Sequence, residues 1–384
     1  MDKACRRSRI AIISQKLLGH VIPALGIGQA LAEREHDVYF MGHLSLRSLV
    51  EGSLVKFVEI GWGMIPMDFI SRSMVEISER LRELDIDLLI VDSGMPAPAY
   101  CAESLGIPWV SFQTSVPLPD ELIPGIPSIV KRAQARYADI LNHARRKACL
   151  PLLSDERRMR GDMAGLSPYM HLVMVYPEMM EHWEGLPPNT EVIGACAYVP
   201  LSEPVSVPDN DRPSVLICSS SLSKVDYRAT MTDYIDASIA ALEHEPVNLL
   251  LSDQSSLRLR QSFPANLHFY DQYPIHDQLF PLSSAVITHG GCNTIQKAMR
   301  YGVPLLIIPL GDEQPLLASR CEKLGIAVQV DPDNIQKDAM GEACLRLLED
   351  DTYSQAADRL REQLQTYRPN ESGATLVERV LYRR

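Results

Sequence analysis

The sequence predicts an α/β chain of two Rossmann-like domains facing one another across a cleft. Three observations carry that expectation. Apolar, strand-like runs alternate with amphipathic helical segments from Arg9 to Gln113. A stretch rich in proline and acid, Pro200 to Pro213, then interrupts the pattern, and a second alternating series begins at Ser214. Repeated βαβ units imply parallel sheets covered by helices. A chain of 384 residues, 46% hydrophobic and 22% charged, is long enough and apolar enough for two or three such cores.

The elements follow in order. Arg9 to Ser14 is a short apolar strand, and Pro23 to Arg34 has helical spacing through Leu25, Ile27, Ala30 and Leu31. Asp37 to Gly42 and Val55 to Ile60 are the next strands, and Met74 to Leu84 is an amphipathic helix. Asp87 to Asp92 is a strongly apolar strand ending in an acid, Ala97 to Leu105 is helical, and Trp109 to Gln113 is a strand. Val116 to Pro127 is apolar and proline-rich and fits no regular element. Ile129 to Ala148 reads as a long helix whose Arg145, Arg146 and Lys147 complement the dipole at its C-terminus. Leu172 to Val175 and Thr190 to Ile193 close the first half. In the second half, Ser214–Ser219, Val247–Ser252, Leu267–Tyr270, Ser284–Thr288, Leu305–Pro309 and Ala327–Val330 are strands and Tyr227 to Glu243 is a helix. Val377 to Arg384 ends a terminal helix. The expected division is a first domain over residues 1–199, a linker over 200–213, a second domain over 214–366, and a C-terminal helix over 367–384.

Composition narrows the function. The formal net charge is -12, and an acidic chain is a poor general binder of nucleic acid, whose phosphates need a basic face. An anionic ligand must then be held locally, by dipoles and a few donors. The eight cysteines include no Cys-x-x-Cys and no zinc-like spacing with histidine. Several lie in apolar runs such as Leu216-Ile217-Cys218. They read as reduced core thiols of a cytoplasmic protein. The basic start, Met1 to Arg9, precedes too short an apolar run for a signal peptide. No window is long and apolar enough to span a membrane; peripheral membrane contact stays open.

Two regions carry chemistry. Thr288-His289-Gly290-Gly291-Cys292-Asn293-Thr294 follows the strand Ser284-Ala285-Val286-Ile287 and opens a helix with Ala298 and Met299 on its apolar side. Strand, glycine turn and helix N-terminus form a diphosphate seat, because backbone N–H groups and the helix dipole face the ligand there and glycine lets phosphate approach the backbone. His289 alone could equally be a core histidine. His20, in Gly19-His20-Val21-Ile22-Pro23, lies in a loop after the first strand, at the carboxyl edge where catalytic groups gather. A neutral imidazole with a reference pKa of about 6.5 suits proton removal near neutrality; an exposed loop histidine is the plain alternative. Asp92 ends its strand and can reach the same edge, where a carboxylate would fix the imidazole tautomer; the alternative is a helix N-cap. Gly26-Ile27-Gly28 sits inside a helix with no third glycine in register, which rejects a dinucleotide fingerprint. Ser219-Ser220-Ser221 lacks the Gly-x-Ser-x-Gly elbow of a nucleophilic serine.

The run from Thr288 to Thr294, with Gly302-Val303-Pro304, Pro309 and Glu313-Gln314-Pro315 at ordered distances, resembles the donor-binding signature of the family 1, GT-B-fold glycosyltransferases, above all bacterial enzymes that glycosylate natural products. Gly19-His20-Val21-Ile22-Pro23 is similar to that family's Gly-His-x-x-Pro segment, and Asp92 precedes a helix and a Leu105-Gly106-Ile107-Pro108 turn as the family's dyad aspartate does. The resemblance covers most of the chain. It implies His20 as general base, Asp92 as its partner, and a donor held by Ser221, His289, Gly290, Gly291, Cys292, Asn293 and Thr294. It also implies that Glu313 and Gln314 bind the sugar hydroxyls; a solvated loop pair is their plain reading. The chain departs from the pattern at Lys297, where many members carry a ribose-binding Glu, at Leu317, where many carry Asn, and at Ile275, where Gln usually follows proline. An ammonium cannot accept hydrogen bonds, so ribose recognition is altered or passes to a neighbour such as Gln296. Ser220 stands where glycine is usual.

The implied reaction is inverting, metal-independent transfer of a sugar from a UDP or dTDP donor to a hydroxyl of an apolar small-molecule or lipid acceptor, with no cofactor, no metal and no nucleic-acid partner. Trp62, Met64, Ile65, Met67, Phe69 and the 116–127 loop are expected to line the acceptor face, although some of them could be ordinary core. A nucleotide-sugar epimerase of the same fold and a catalytically silent sugar-nucleotide-binding activator stay open as alternatives, as does the choice between monomer and homodimer.

Overall fold

The computed structural model describes residues 7–61, 69–118, 127–180, 185–201, 203–208, 211–219, 225–253, 263–272, 274–311 and 313–383. The chain divides into two compact units, Met1–Pro200 with Arg368–Arg384, and Leu201–Tyr367. The first unit contains β1 (Arg9–Ile13), α1 (Leu18–Glu33), β2 (Asp37–Gly42), α2 (Arg47–Glu51), β3 (Lys56–Glu59), α3 (Ile70–Glu83), β4 (Leu88–Asp92), α4 (Pro96–Leu105), β5 (Trp109–Gln113), α5 (Pro127–Lys147), β6 (His171–Val173) and β7 (Thr190–Val192). The second contains β8 (Ser214–Cys218), α6 (Val225–Leu242), β9 (Asn248–Ser252), β10 (Leu267–Tyr270), α7 (His276–Leu279), β11 (Ala285–Thr288), α8 (Cys292–Tyr301), β12 (Leu305–Ile307), α9 (Gln314–Lys323), β13 (Ala327–Gln329), α10 (Lys337–Glu349) and α11 (Asp351–Leu364). The last helix, α12 (Pro369–Tyr382), belongs to the first unit.

Each unit holds one sheet with every ladder parallel, in the orders β3-β2-β1-β4-β5-β6-β7 and β10-β9-β8-β11-β12-β13. Parallel strands covered on both faces read as continuous apolar runs, and Leu88 to Val91 and Val215 to Ile217 are wholly buried. Alternation along β1 sends Ile10 and Ile12 to one core and Ala11 and Ile13 to the core on the opposite face. Tyr234 of α6 and Met340 of α10 pack over the second sheet with Val215, Ile217, Leu249 and Leu251.

Helix α12 closes the first unit against α1. Arg34 donates to Glu378 Oε2 at 2.7 Å and to Glu371 Oε2 at 2.6 Å. Asn370 meets Ala197 twice: its amide donates to the Ala197 carbonyl at 2.8 Å, and its Oδ1 accepts from the Ala197 N–H at 3.1 Å. This contact explains the Gly26-Ile27-Gly28 stretch. A Cβ on Gly26 would lie 2.5 Å from the Ala197 carbonyl oxygen, so the glycine allows helix and backbone to approach.

Three expectations need correction. α1 begins at Leu18, before Pro23, so His20 sits in the first turn of a helix and not in a loop. Proline favours helix starts, but the preceding turn closes because the Leu17 carbonyl accepts from the N–H of His20 at 2.8 Å and of Val21 at 3.0 Å. Arg145 does more than complement a dipole: it is buried, pairs with both Glu103 oxygens at 2.7 and 2.8 Å, and lies over the Tyr100 ring. Cys149 is exposed; the other cysteines among the described residues are buried.

Two stability measurements follow. In Gly26→Ala the new methyl meets rigid backbone, and the expected loss is about 1–3 kcal/mol. Gly28→Ala meets the end of the Ile12 side chain at 2.8 Å and is expected to cost less; urea denaturation of both variants checks the order. Burial holds the His171 imidazole down to about 4 and His276 to about 3. Between about pH 6.5 and these values the unfolded chain binds protons that the folded chain refuses, so their contribution is whole above pH 6.5 and is lost as pH falls. For His171 the expected loss is about 3 kcal/mol. The urea midpoint of the native chain is expected to fall across that window, and less steeply in His171→Gln.

Candidate active site

Ligands of open parallel sheets bind beyond the carboxyl ends of the strands, where the strand order reverses. In the first sheet the reversal lies between β1 and β4, and in the second between β8 and β11. His20 follows β1 and Asp92 ends β4; Ser219 follows β8 and His289 follows β11. The topology of each unit thus delivers its sequence-predicted residues to one edge.

In the first unit His20 and Asp92 meet. Nδ1 of His20 lies 2.8 Å from Oδ2 of Asp92, with the His20 side chain 26% exposed and that of Asp92 2%. The imidazole therefore reaches solvent while its partner is enclosed. Burial pushes the Asp92 carboxyl up, but the adjacent His20 and the N–H groups of Gly94 and Gln15 outweigh it, and Asp92 lies below its usual value. An ionised Asp92 at Nδ1 keeps the ring proton there and leaves Nε2 as the basic nitrogen. Asp92 is not the N-cap of α4, a place taken by Met95.

In the second unit β11 turns into α8 through His289, Gly290 and Gly291. Gly290 has φ +86°, and a Cβ there would meet Ile307 Cγ2 at 2.8 Å, so both conformation and space require glycine. Gly291 is the N-cap of α8 and makes no side-chain cap bond; a Cβ on it would lie 2.8 Å from His289 Nε2. The ring of His289 thus lies beside the start of α8, with Cys292, Asn293 and Thr294 forming the first turn. Burial lowers His289 to about 4, so the ring is neutral near pH 7, and its buried Nδ1 has no hydrogen-bond partner among the described residues.

Gln314 joins this corner. It opens α9, where the sequence suggests a loop, with Glu313 as N-cap. The extra helix starts because the Gly311 carbonyl accepts from the Gln314 N–H at 3.1 Å. The Gln314 side chain is buried, its Oε1 accepts from the Leu310 N–H at 2.8 Å, and its Cβ lies 3.7 Å from the Cβ position of Gly290. Glu313 is partly exposed beside it. Ser220 and Ser221 lie outside the described residues, as do Trp62, Met64, Ile65, Met67 and much of the 116–127 loop. Phe69 is 49% exposed.

Lys297 has a partner that its neighbours in sequence do not reveal. Its Nζ lies 2.5 Å from Asp277 Oδ2, and Tyr301 donates to Asp277 Oδ1 at 3.0 Å. Lys297 and Tyr301 are one helical turn apart, and Asp277 comes from α7; nothing local in the sequence couples them. Gln296 is buried. Gln15 is the other residue that sequence reasoning misses: its backbone and side-chain N–H groups both face Asp92. A polar residue just beyond a central strand was the available signal. Among the described residues no three His, Cys, Asp or Glu side chains gather as metal ligands.

Residues 234–378 match the family model described as erythromycin biosynthesis protein CIII-like, C-terminal domain. The zeaxanthin glucosyltransferase of Pseudescherichia vulneris is 26% identical over 97% of this chain and 98% of its own. In fold, the chain is similar to the glycotransferase of kitacinnamycin, with TM-score 0.81, 19% identity and coverage of 98% and 99% of the two chains. It is also similar to the spinosyn rhamnosyltransferase SpnG, solved with thymidine diphosphate and with spinosyn aglycone, at TM-score 0.71 and 18% identity over 96% of this chain and 100% of that one. The two parallel-sheet α/β units have the GT-B fold, and the matched C-terminal model and full-length relatives make the chain similar to the family 1 glycosyltransferases of the bacterial natural-product type, enzymes that transfer sugar from nucleotide donors.

Proposed function

We propose that this enzyme catalyses inverting, metal-independent transfer of a sugar from a nucleoside-diphosphate donor, UDP or dTDP, to a hydroxyl of an apolar small-molecule or lipid acceptor. The observation that carries the reading is the His20–Asp92 pair: a solvent-reaching imidazole bonded at 2.8 Å to a buried, ionised carboxylate. His20 Nε2 takes the proton of the acceptor hydroxyl as its oxygen attacks the anomeric carbon. The bond from that carbon to the diphosphate oxygen breaks on the opposite face, and the nucleoside diphosphate leaves with the electron pair. Attack from the face opposite the leaving group inverts the anomeric centre.

The leaving diphosphate gathers negative charge. The start of α8 and the neutral ring of His289, which can donate a hydrogen bond, supply stabilisation where that charge develops. Ser221, Gly290, Gly291, Cys292, Asn293 and Thr294 complete the proposed phosphate contacts, and Glu313 and Gln314 those to the sugar. Nucleoside diphosphate in SpnG supports the donor class. Its aglycone complex and the carotenoid named in the glucosyltransferase relative support an apolar acceptor. Lys297, tied to Asp277, offers no free carboxylate for ribose, so hydroxyl recognition there differs from the family pattern.

A panel of nucleotide sugars and acceptor mixtures, read by mass spectrometry, tests the reading with native enzyme and His20→Ala. Native enzyme is expected to transfer sugar equally well with and without EDTA. His20→Ala is expected to lose about 10²- to 10⁴-fold in kcat while its donor Kd stays within twofold. Transfer by His20→Ala at the native rate would remove the base assignment. Donor binding by native enzyme without transfer to any acceptor would favour the activator alternative.

A further inference from the structure

The Asp92 carboxylate accepts more bonds than the one to His20. Oδ2 takes His20 Nδ1 at 2.8 Å and the backbone N–H of Gln15 at 3.2 Å. Oδ1 takes the Gly94 N–H at 3.0 Å and Gln15 Nε2 at 3.4 Å. Gln15 therefore touches both oxygens. It can do so because β1 lies beside β4, with Ile13 opposite Val91, so the residue two beyond β1 lies next to the last residue of β4. A carboxylate only accepts, so the nitrogen end of the amide faces it. The space for that amide is made by glycine: a Cβ on Gly94 would lie 2.8 Å from Gln15 Nε2.

We propose that Gln15 is a positioning residue for the reaction: its two N–H donors hold the Asp92 carboxylate so that Oδ2 stays aimed at His20 Nδ1. The inference rests on the reading of His20 as base. With Oδ1 held by the N–H groups of both Gly94 and Gln15, the carboxylate cannot rotate about its Cβ–Cγ bond without breaking hydrogen bonds in a buried site. Fixing Oδ2 fixes the imidazole ring, its tautomer and the direction of Nε2. The amide donor also draws part of the carboxylate charge towards itself. Its removal leaves more charge facing the ring and favours the imidazolium, the form that cannot act as base.

Three variants separate this role from packing. Gln15→Ala removes the amide, Gln15→Glu replaces a donor with a second anion beside Asp92, and Gly94→Ala displaces the amide while leaving Gln15 in place. The first readout is the titration of the His20 ring proton by NMR, assigned by its loss in His20→Gln; it needs no substrate. The second is transfer from UDP-glucose or dTDP-glucose, whichever the native enzyme uses, as kcat and KM across pH. Gln15→Ala is expected to move the His20 midpoint up by about half a pH unit or more, and Gln15→Glu by about one unit or more. Both are expected to lower kcat at pH 7 by about tenfold with donor KM unchanged. Gly94→Ala is expected to follow Gln15→Ala. Folded Gln15→Ala and Gln15→Glu proteins with the native His20 midpoint and native kcat would overturn the proposal. If His20→Ala is inactive in that case, the base assignment stands and only the role of Gln15 fails. If His20→Ala retains native transfer, the base assignment itself fails.

Discussion

The hydrogen bond between His20 and Asp92 is the interaction on which the functional account depends. Neither residue is informative alone. A histidine near a strand end is common, and a buried aspartate at 2% exposure is costly unless hydrogen bonds and a positive partner compensate it. Together they explain one another. The sheet order places β1 beside β4, the turn into α1 carries His20 back over that edge, and N–H groups from Gln15 and Gly94 keep the carboxylate charged. The cost of enclosing the charge is thereby converted into an imidazole with a defined tautomer on a side chain that reaches solvent.

The second unit solves a different problem with a related topology. In the proposed reaction it holds a dianionic group in a chain whose net charge is -12. It concentrates local positive potential at a helix start instead of assembling a basic surface. On that proposal Gly290 and Gly291 admit the ligand to the backbone, while burial keeps His289 neutral, so the ring can donate one hydrogen bond without carrying a buried charge. The Lys297–Asp277–Tyr301 cluster shows how a departure in sequence is absorbed: the ammonium is neutralised by a carboxylate from α7, and that carboxylate is held in turn by a phenol.

Much of this was legible before any coordinates. Apolar runs mark the thirteen strands found among the described residues to within a residue or two, and central strands buried on both faces, such as β4 and β8, leave an unbroken apolar signature. Helix starts were less legible. α1 was expected at Pro23 and begins at Leu18, since a backbone bond from Leu17 has no mark in side-chain pattern. The start of α9 reads as a loop in the sequence for the same reason. The His20, Asp92 and His289 positions were visible through motif spacing. Gln15 and Asp277 were not, because each acts through a partner brought close by sheet order or helix packing: Asp92 lies 77 residues from Gln15, and Lys297 lies 20 from Asp277. Arg145 misled the reading in the opposite sense, its buried pairing with Glu103 being invisible in a run of three exposed-looking cations.

The most direct test is a crystal structure of the enzyme with an intact nucleoside-diphosphate sugar and an acceptor analogue. The account requires the diphosphate oxygens on the N–H groups of the first turn of α8 beside His289. It also requires the acceptor hydroxyl within about 3 Å of His20 Nε2, on the side of the anomeric carbon away from the diphosphate. A diphosphate bound away from α8, or a His20 Nε2 that opens onto a surface the sugar does not reach, would contradict it.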